Sequence, residues 1–317
     1  MEMKNDKIKV LLTGANGFIG SHIIDNLVKD KIYEIGITLR NSSDIWRIKE
    51  HIQKIERFFV DEIDIDEIIS NFRPDIVIHL AVYYKKHHTY DDIDEMLGTN
   101  VIFPTKILDS MIKNNVQFFI NTGTFTEYSV DQNDLTTQSQ ITPANLYSAT
   151  KVSFEDILKF YVSNYNLKAV TLKLFAPYGY KDNRKKLIPY LINCALSGKI
   201  AETSPGDQIW DFIYVKDVAD AYMKSINYLM NSHQNYSTFN IGSGESHSIK
   251  EIAEIISSLG KKLQVNWGAI SYDESEIFYV KADITSSRNI LKWWPKYNIK
   301  EGISETYEWY KENTKDE

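Results

Sequence analysis

One cysteine, Cys194, stands in 317 residues. That scarcity excludes an internal disulfide framework and a cysteine-rich zinc centre. His87 and His88 are neighbours whose side chains diverge, so no metal site is expected there. No uncharged apolar run reaches the roughly 18 residues that a membrane-spanning helix needs, and no membrane partner is expected. The opening "MEMKNDKIKVLL" lacks the long apolar region of a signal peptide, so a cytoplasmic protein is expected. There is no excess of positive charge: 36 Lys and Arg face 43 Asp and Glu, for a net charge of −7. Nothing global therefore draws the chain to nucleic acid, and any phosphate must be held by local groups. No repeat or low-complexity segment appears. At 43% hydrophobic and 25% charged, the chain reads as one large or two medium globular domains.

Strand and helix patterns alternate through about residue 176. "KIKVLLTG", "YEIGITLR", "ERFFVD", "PDIVIHLAV", "QFFINTGT" and "AVTLKLFAPYG" read as strands. "FIGSHIIDNLVKD", "DIWRIKEHIQKI", "DIDEIISNF", a long segment over about 90–115 and "NLYSATKVSFEDILKFYVSNYN" read as helices. The alternation predicts an α/β fold with a doubly wound parallel sheet. After "PYGYKDNRKK" the pattern breaks into a smaller second part, in which Cys194 falls in a helical pattern as a packing residue. The acidic cluster "DEIDIDE" reads as the solvated start of a helix, with Asp61 ending a strand.

"TGANGFIG" places Gly14, Gly17 and Gly20 between the first strand and the first helix. Small residues let the backbone approach a pyrophosphate, and the helix N-terminus offers free N–H groups. A dinucleotide site is predicted, with Asn16, Phe18 and Ile19 completing the loop. The second strand ends in "TLRNSS", which has no carboxylate to accept from a ribose but offers Arg40, Ser42 and Ser43. A guanidinium fork and hydroxyls suit a 2′-phosphate, so NADP(H) is favoured over NAD(H). Asp61 is a candidate for the adenine amino group, Ala81 in "HLAV" is small enough to let the cofactor pass, and Leu80 beside it joins the cofactor set.

Tyr147 and Lys151 in "YSATK" are one helical turn apart and face the same way. A free tyrosine, with a pKa of ~10, is a poor acid–base at neutral pH; a nearby ammonium and an oxidised nicotinamide lower that value. Thr124 supplies a hydroxyl to hold the reacting oxygen. These three are the predicted catalytic residues.

With "TGANGFIGSH", "HLA", "DFIYVKDVADA" and "NIGSGESHSIKEIAEII", this set resembles the extended short-chain dehydrogenase/reductase family over nearly the whole chain. The resemblance implies a Rossmann domain over 1–176, with returns from about 210–242, and a smaller C-terminal α/β substrate domain over 177–317. It implies a homodimer through helices at about 92–114 and 147–165. Asn100 then lies near the active site, Pro177 joins the cofactor set, and a nucleotide sugar is the substrate.

Family 4,6-dehydratases carry Asp-Glu after the active-site Thr. Here the matching residues are Phe125 and Thr126, and Glu127 is out of register by one. A C4 epimerase and a 4-ketoreductase remain. Inferred NADPH preference favours net reduction. "NTGTF", "PANLYSATKVSFEDIL" and "LKLFAPYGYKDNRKKLIPYLI" are similar to the CDP-abequose/CDP-paratose synthase group, which implies reduction of a 4-keto sugar in deoxysugar biosynthesis for surface polysaccharide.

The pattern departs from the family at the diphosphate. Trp210 replaces the usual Arg before "DFIYV", and a second Arg before "ADI" has no match. "DNRKK" offers Arg184, Lys185 and Lys186 as replacements, or is a solvated basic loop. Trp210 either stacks on a base or sugar or packs in a core or interface. Tyr83, Thr124 and Phe125 complete the candidate substrate set.

Overall fold

The computed structural model describes residues 7–130, 134–260, 262–273 and 275–313. These fall into two compact units. The first comprises 7–129, 140–173 and 219–239; the second comprises the described parts of 130–139, 174–218 and 240–313.

A seven-stranded sheet organises the first unit. Its strands are β1 (Ile8–Thr13), β2 (Tyr33–Leu39), β3 (Glu56–Phe59), β4 (Ile76–His79), β5 (Phe118–Thr124), β6 (Lys168–Leu174) and Tyr236–Ile241. Their spatial order is Tyr236–Ile241, β6, β5, β4, β1, β2, β3. The run from β3 through β5 is parallel, with Val10 opposite both Ile35 and Ile76 and Ile78 opposite Ile120. Strands buried on both faces read as near-continuous apolar runs, which is why "KVLL" and "IVI" gave no alternation. The chain reverses direction across the sheet at β1, between β4 and β2. Ligands of such sheets bind beyond the carboxyl ends of the strands at that switch. The ends of β1, β2, β4 and β5 carry Gly14, Arg40, Leu80 and Thr124.

Helices α1 (Phe18–Lys29), α2 (Ile65–Phe72), α3 (Ile93–Leu97), α4 (Phe103–Lys113) and α5 (Leu146–Asn164) cover the sheet. One face is closed by Ile69 and Phe72 of α2, Leu108 and Met111 of α4 and Phe154 and Leu158 of α5 against Leu11, Val77 and Phe119. Asp64 of the acidic cluster caps α2, accepting from the Asp66 amide. The segment over 46–54 is a 3-10 helix, Trp46–Lys54, and buries Ile48 alone.

The long helix expected over 90–115 is continuous but changes type. It starts as a 3-10 turn, Tyr90–Asp92, and widens to a π turn at Gly98–Ile102 before α4. Pro104 explains the widening: it has no N–H for the Asn100 carbonyl, and its ring crowds that turn. The π turn leaves Asn100 buried, at 1% exposure.

The second unit contains α6 (Leu187–Ser197), α8 (Ile249–Ser258), α9 (Thr285–Asn289) and α10 (Ile299–Asn313) with strands of two or three residues. Helix α7 (Val215–Asn231) spans the division at 218–219. Asp211 is the anchor of the second unit: fully buried, it accepts from the amides of Ser243, Gly244 and Ala282 and the Ser243 hydroxyl. Cys194 is buried in α6. Among the described residues no helix is long and apolar enough to cross a membrane, and no His, Cys, Asp and Glu cluster could hold a metal.

Candidate active site

The glycine loop is shaped by contacts a side chain would break. Gly14 has φ +70°, and a Cβ there would lie 2.6 Å from the Ala81 amide nitrogen. The strand end it meets is fixed by Thr13, whose Oγ1 accepts from the Ala81 amide at 3.2 Å and pairs with His79 Nδ1 at 2.8 Å. Leu80 N–H donates to the Thr13 carbonyl. Gly17 is the N-cap of α1 and supplies no side-chain cap, and the first turn holds no acidic residue. Free N–H groups with no competing carboxylate fit a pyrophosphate. Phe18 and Ile19 open α1, and Asn16 Nδ2 donates to the Asp44 carbonyl at 3.1 Å.

Beyond β2, Arg40 is exposed and forms an ion pair with Glu95 of α3 at 3.0 Å, with Thr99 Oγ1 at 3.3 Å. Ser43 Oγ accepts from the Arg40 amide, while Ser42 is exposed in the turn. Asp61 accepts from the Asn41 amide at 2.6 Å and so ties this turn to the end of β3.

Thr124 ends β5 and caps a one-turn 3-10 helix, Phe125–Glu127. Its hydroxyl accepts from the Thr126 amide and lies 3.0 Å from Thr126 Oγ1. Thr126 Oγ1 lies 2.6 Å from Ser148 Oγ, and Ser148 donates to the Asn145 cap of α5. A row of hydroxyls thus joins the Thr124 strand end to the turn of α5 that carries Tyr147. Asn100 clamps the other side: its amide donates to the Tyr83 carbonyl and to Thr150 Oγ1, and its Oδ1 accepts from the Tyr83 amide. Tyr83 itself donates its hydroxyl to Asp92 at 2.6 Å, and the Tyr84 ring meets that of Tyr147 edge to face at 4.8 Å. Phe125 is buried, with little surface open to a ligand.

Burial pushes the Tyr147 phenol well above its ordinary pKa, and Glu127, Tyr84 and Tyr222 add to the rise. Lys151 is 3% exposed, and burial brings its ammonium down to about 8 against the opposing pull of Glu127 and Glu155.

Glu127, Glu155 and Lys173 did not emerge from the sequence as a set. Glu127 Oε1 accepts from the Thr124 amide at 2.8 Å, and its Oε2 meets Lys173 Nζ at 2.8 Å. Lys173 also pairs with Glu155 at 3.3 Å. A signal was present: Tyr147, Lys151, Glu155 and Lys159 repeat every four residues, a single stripe along α5.

The second unit holds the remaining candidates. Arg184 Nη2 donates to the Asn313 carbonyl at 3.5 Å and its guanidinium lies 5.8 Å from the Tyr310 ring centre. Lys186 is exposed as the N-cap residue of α6. Trp210 is partly buried and donates its indole N–H to the Ile277 carbonyl at 2.7 Å. Pro177 begins the short strand Pro177–Tyr178.

The model of the NAD dependent epimerase/dehydratase family matches residues 10–242. The chain belongs to that family. CDP-abequose synthase of Salmonella typhimurium is 29% identical over 93% of this chain and 96% of its own length. The dTDP-4-dehydro-6-deoxyglucose reductase of Escherichia coli is 27% identical over 93% and 95%. Among solved structures, the UDP-N-acetylglucosamine 4-epimerase of Methanobrevibacter ruminantium, in complex with UDP-N-acetylmuramic acid, superposes with a TM-score of 0.86 at 26% identity, covering 96% and 98% of the two chains. Reductases and epimerases are thus both among the relatives of this family member.

Lys151 gives this enzyme a specific pH signature. Below pH 8 the folded and unfolded chains both carry its proton, and the fold bears the cost of a buried charge. Between about 8 and 10.4 the unfolded chain binds more protons, so stability from this group rises with pH, by about 3 kcal/mol in total. Turnover that uses the ammonium moves the opposite way and declines above pH 8. The stability deficit of wild type relative to Lys151→Met, read by thermal melts from pH 7 to 10, should shrink as kcat falls.

Proposed function

We propose that this enzyme reduces the C4 ketone of a nucleotide-linked 4-keto-6-deoxy sugar with NADPH, in deoxysugar biosynthesis for surface polysaccharide. The observation that carries the reading is the end of β2, where Arg40, Ser42 and Ser43 stand and no carboxylate closes the strand itself. The named reductase relative is consistent with it.

NADPH would supply the hydride. Gly14, Gly17 and Gly20, with the first turn of α1, would hold the pyrophosphate, and Arg40 and Ser42 would hold the 2′-phosphate. Tyr147 donates its phenolic proton to the oxygen at C4, and Thr124 hydrogen-bonds that oxygen. Lys151 stabilises the phenolate left behind and holds a ribose hydroxyl. Glu127 cannot serve as a dehydratase acid, because both its oxygens are engaged by Thr124 and Lys173. Arg184, Lys186, Trp210 and Tyr83 are the residues we assign to the sugar nucleotide. We also propose a cytoplasmic homodimer that pairs the helical segments at about 92–114 and 147–165, where Ile102 and Phe160 are each 54% exposed.

The second reading is a nucleotide-sugar 4-epimerase with retained NAD. Glu95 favours it, since its carboxylate already neutralises Arg40. Incubation with a panel of nucleotide-linked 4-keto-6-deoxy sugars separates the two. Stoichiometric NADPH oxidation with a new C4 alcohol supports reduction. Silence there, with conversion of a 4-hydroxy sugar nucleotide by bound cofactor, supports epimerisation. Arg40→Ala should raise KM for NADPH at least about tenfold, from loss of a charged hydrogen bond, and leave KM for NADH within about twofold. Equal effects on both cofactors would remove Arg40 from the 2′-phosphate.

A further inference from the structure

Behind Thr124 lies a row of buried charges that the reaction above does not consume. Glu127 is fully buried, Lys173 is 3% exposed and Glu155 is 5% exposed. Each Glu127 oxygen has its own partner, the Thr124 amide and Lys173 Nζ, both at 2.8 Å. Lys173 passes the charge to Glu155 at 3.3 Å, and Glu155 ends on Lys159 at 3.1 Å and on the Tyr236 hydroxyl at 2.9 Å. Gly123 makes the row possible. A Cβ there would stand 3.0 Å from Glu127 Oε1 and 3.1 Å from Lys173 Cγ. Glycine immediately before the active-site threonine therefore gives its volume to the charge pair.

Buried ion pairs are a poor way to stabilise a fold. Apolar residues of like volume usually do as well or better. This row also faces the reacting groups. Glu155 stands one turn beyond Lys151 on the same stripe of α5, and Tyr147 one turn before it. Lys151, buried with a positive charge, has Glu127 and Glu155 as its opposing charges. Tyr222 of α7 is near enough to Tyr147 to add to the rise of its phenol pKa.

We propose that Glu127, Lys173 and Glu155 form a positioning device for Thr124, Tyr147 and Lys151. Glu127 fixes the Thr124 strand end through its amide, and the two carboxylates supply the negative charge opposite Lys151. Lys173 holds the carboxylates apart and in place. The inference rests on the assignment of those three residues as the active site, and it holds for reduction and epimerisation alike.

Selective [13Cε]lysine labelling reads the device directly. The Lys151 signal is assigned by its loss in Lys151→Met and followed by NMR through a pH titration. Glu127→Gln and Glu155→Gln should each lower its midpoint, by about one pH unit. Glu127→Gln should lower kcat about 10- to 100-fold, with KM for the sugar nucleotide within about twofold. Glu127→Leu/Lys173→Met replaces that pair with apolar volume and should lower kcat at least as far as Glu127→Gln does. An unmoved Lys151 midpoint in both Gln variants, or full recovery of kcat in the double variant, overturns the proposal. A wild type inactive on every nucleotide sugar defeats the proposed function instead, and the titration then decides this inference alone.

Discussion

Replacing Tyr147 with Phe lowers kcat about 1,000-fold and leaves nicotinamide cofactor binding intact. The substitution removes one oxygen. The phenyl ring still meets Tyr84, whose ring lies edge to face with it at 4.8 Å, so the helix start stays packed. Under the proposed reduction, what is lost is the proton for the C4 oxygen. General acid–base groups contribute about 10²- to 10⁴-fold, and the expected loss lies in the middle of that range. Burial, then Glu127, hold its phenol protonated, so at neutral pH nearly every molecule carries a loaded acid. The rates are read as NADPH oxidation, and cofactor binding as quenching of protein fluorescence. A Phe variant within about fivefold of wild type would remove Tyr147 from the chemistry and return Thr124, with its neighbour Thr126, as the source of the proton. Loss of cofactor binding in the same variant would mean that the substitution had disturbed Lys151 and the α5 start.

The parts of the site that were legible in the sequence are local. Gly14, Gly17 and Gly20 lie in one turn, and Tyr147 and Lys151 in one helix, so spacing alone places them. Arg40 was legible because the end of β2 was. The buried charge row was not, since its members come from a turn, a helix and a strand that meet only in three dimensions. Glu127 read as a carboxylate one position out of register; its partner Lys173 lies 46 residues away, inside an apolar strand. The four-residue stripe on α5 was visible, but a charged stripe ordinarily marks a solvated face. Only packing shows that Lys151 and Glu155 turn inward while Lys159 stays half out. The π turn at Gly98–Ile102 escaped for a related reason. Pro104 announces a break in the hydrogen-bond ladder, and the sequence does not say whether the helix will stop or widen. Here α2 and α5 pack around it, and it widens. Trp210, offered either as a ligand-stacking residue or as a packing residue, has its indole N–H on the Ile277 carbonyl, a contact between residues far apart in the chain.

Gly20→Ala is expected to be as damaging to the fold as Tyr147→Phe is to the chemistry. Gly20 lies in the first turn of α1, where alanine ordinarily improves a helix by about 1 kcal/mol. Here the added Cβ would lie 2.3 Å from the Gly14 carbonyl oxygen and 2.8 Å from Ala15 Cα. Both are backbone atoms, so no side chain can swing away to relieve the contact. Either α1 moves off the end of β1 or the loop opens. The first exposes Ile23 and Ile24, both fully buried on the inner side of α1; the second displaces Gly14, whose own approach to Ala81 leaves no slack. Overpacking of this kind costs about 1–3 kcal/mol before the lost helix propensity gain is counted, and the cradle for the pyrophosphate goes with it. Gly98→Ala is the matched control, since a Cβ there meets nothing within 4 Å. Thermal melts with and without NADP(H) compare the two. The Gly20 variant should melt several degrees lower and lose most of the stabilisation that added cofactor gives wild type, while the Gly98 variant keeps both. A Gly20 variant still stabilised by cofactor to the wild-type extent would mean that the loop can open without losing its ligand, and would place the pyrophosphate away from the α1 N-terminus.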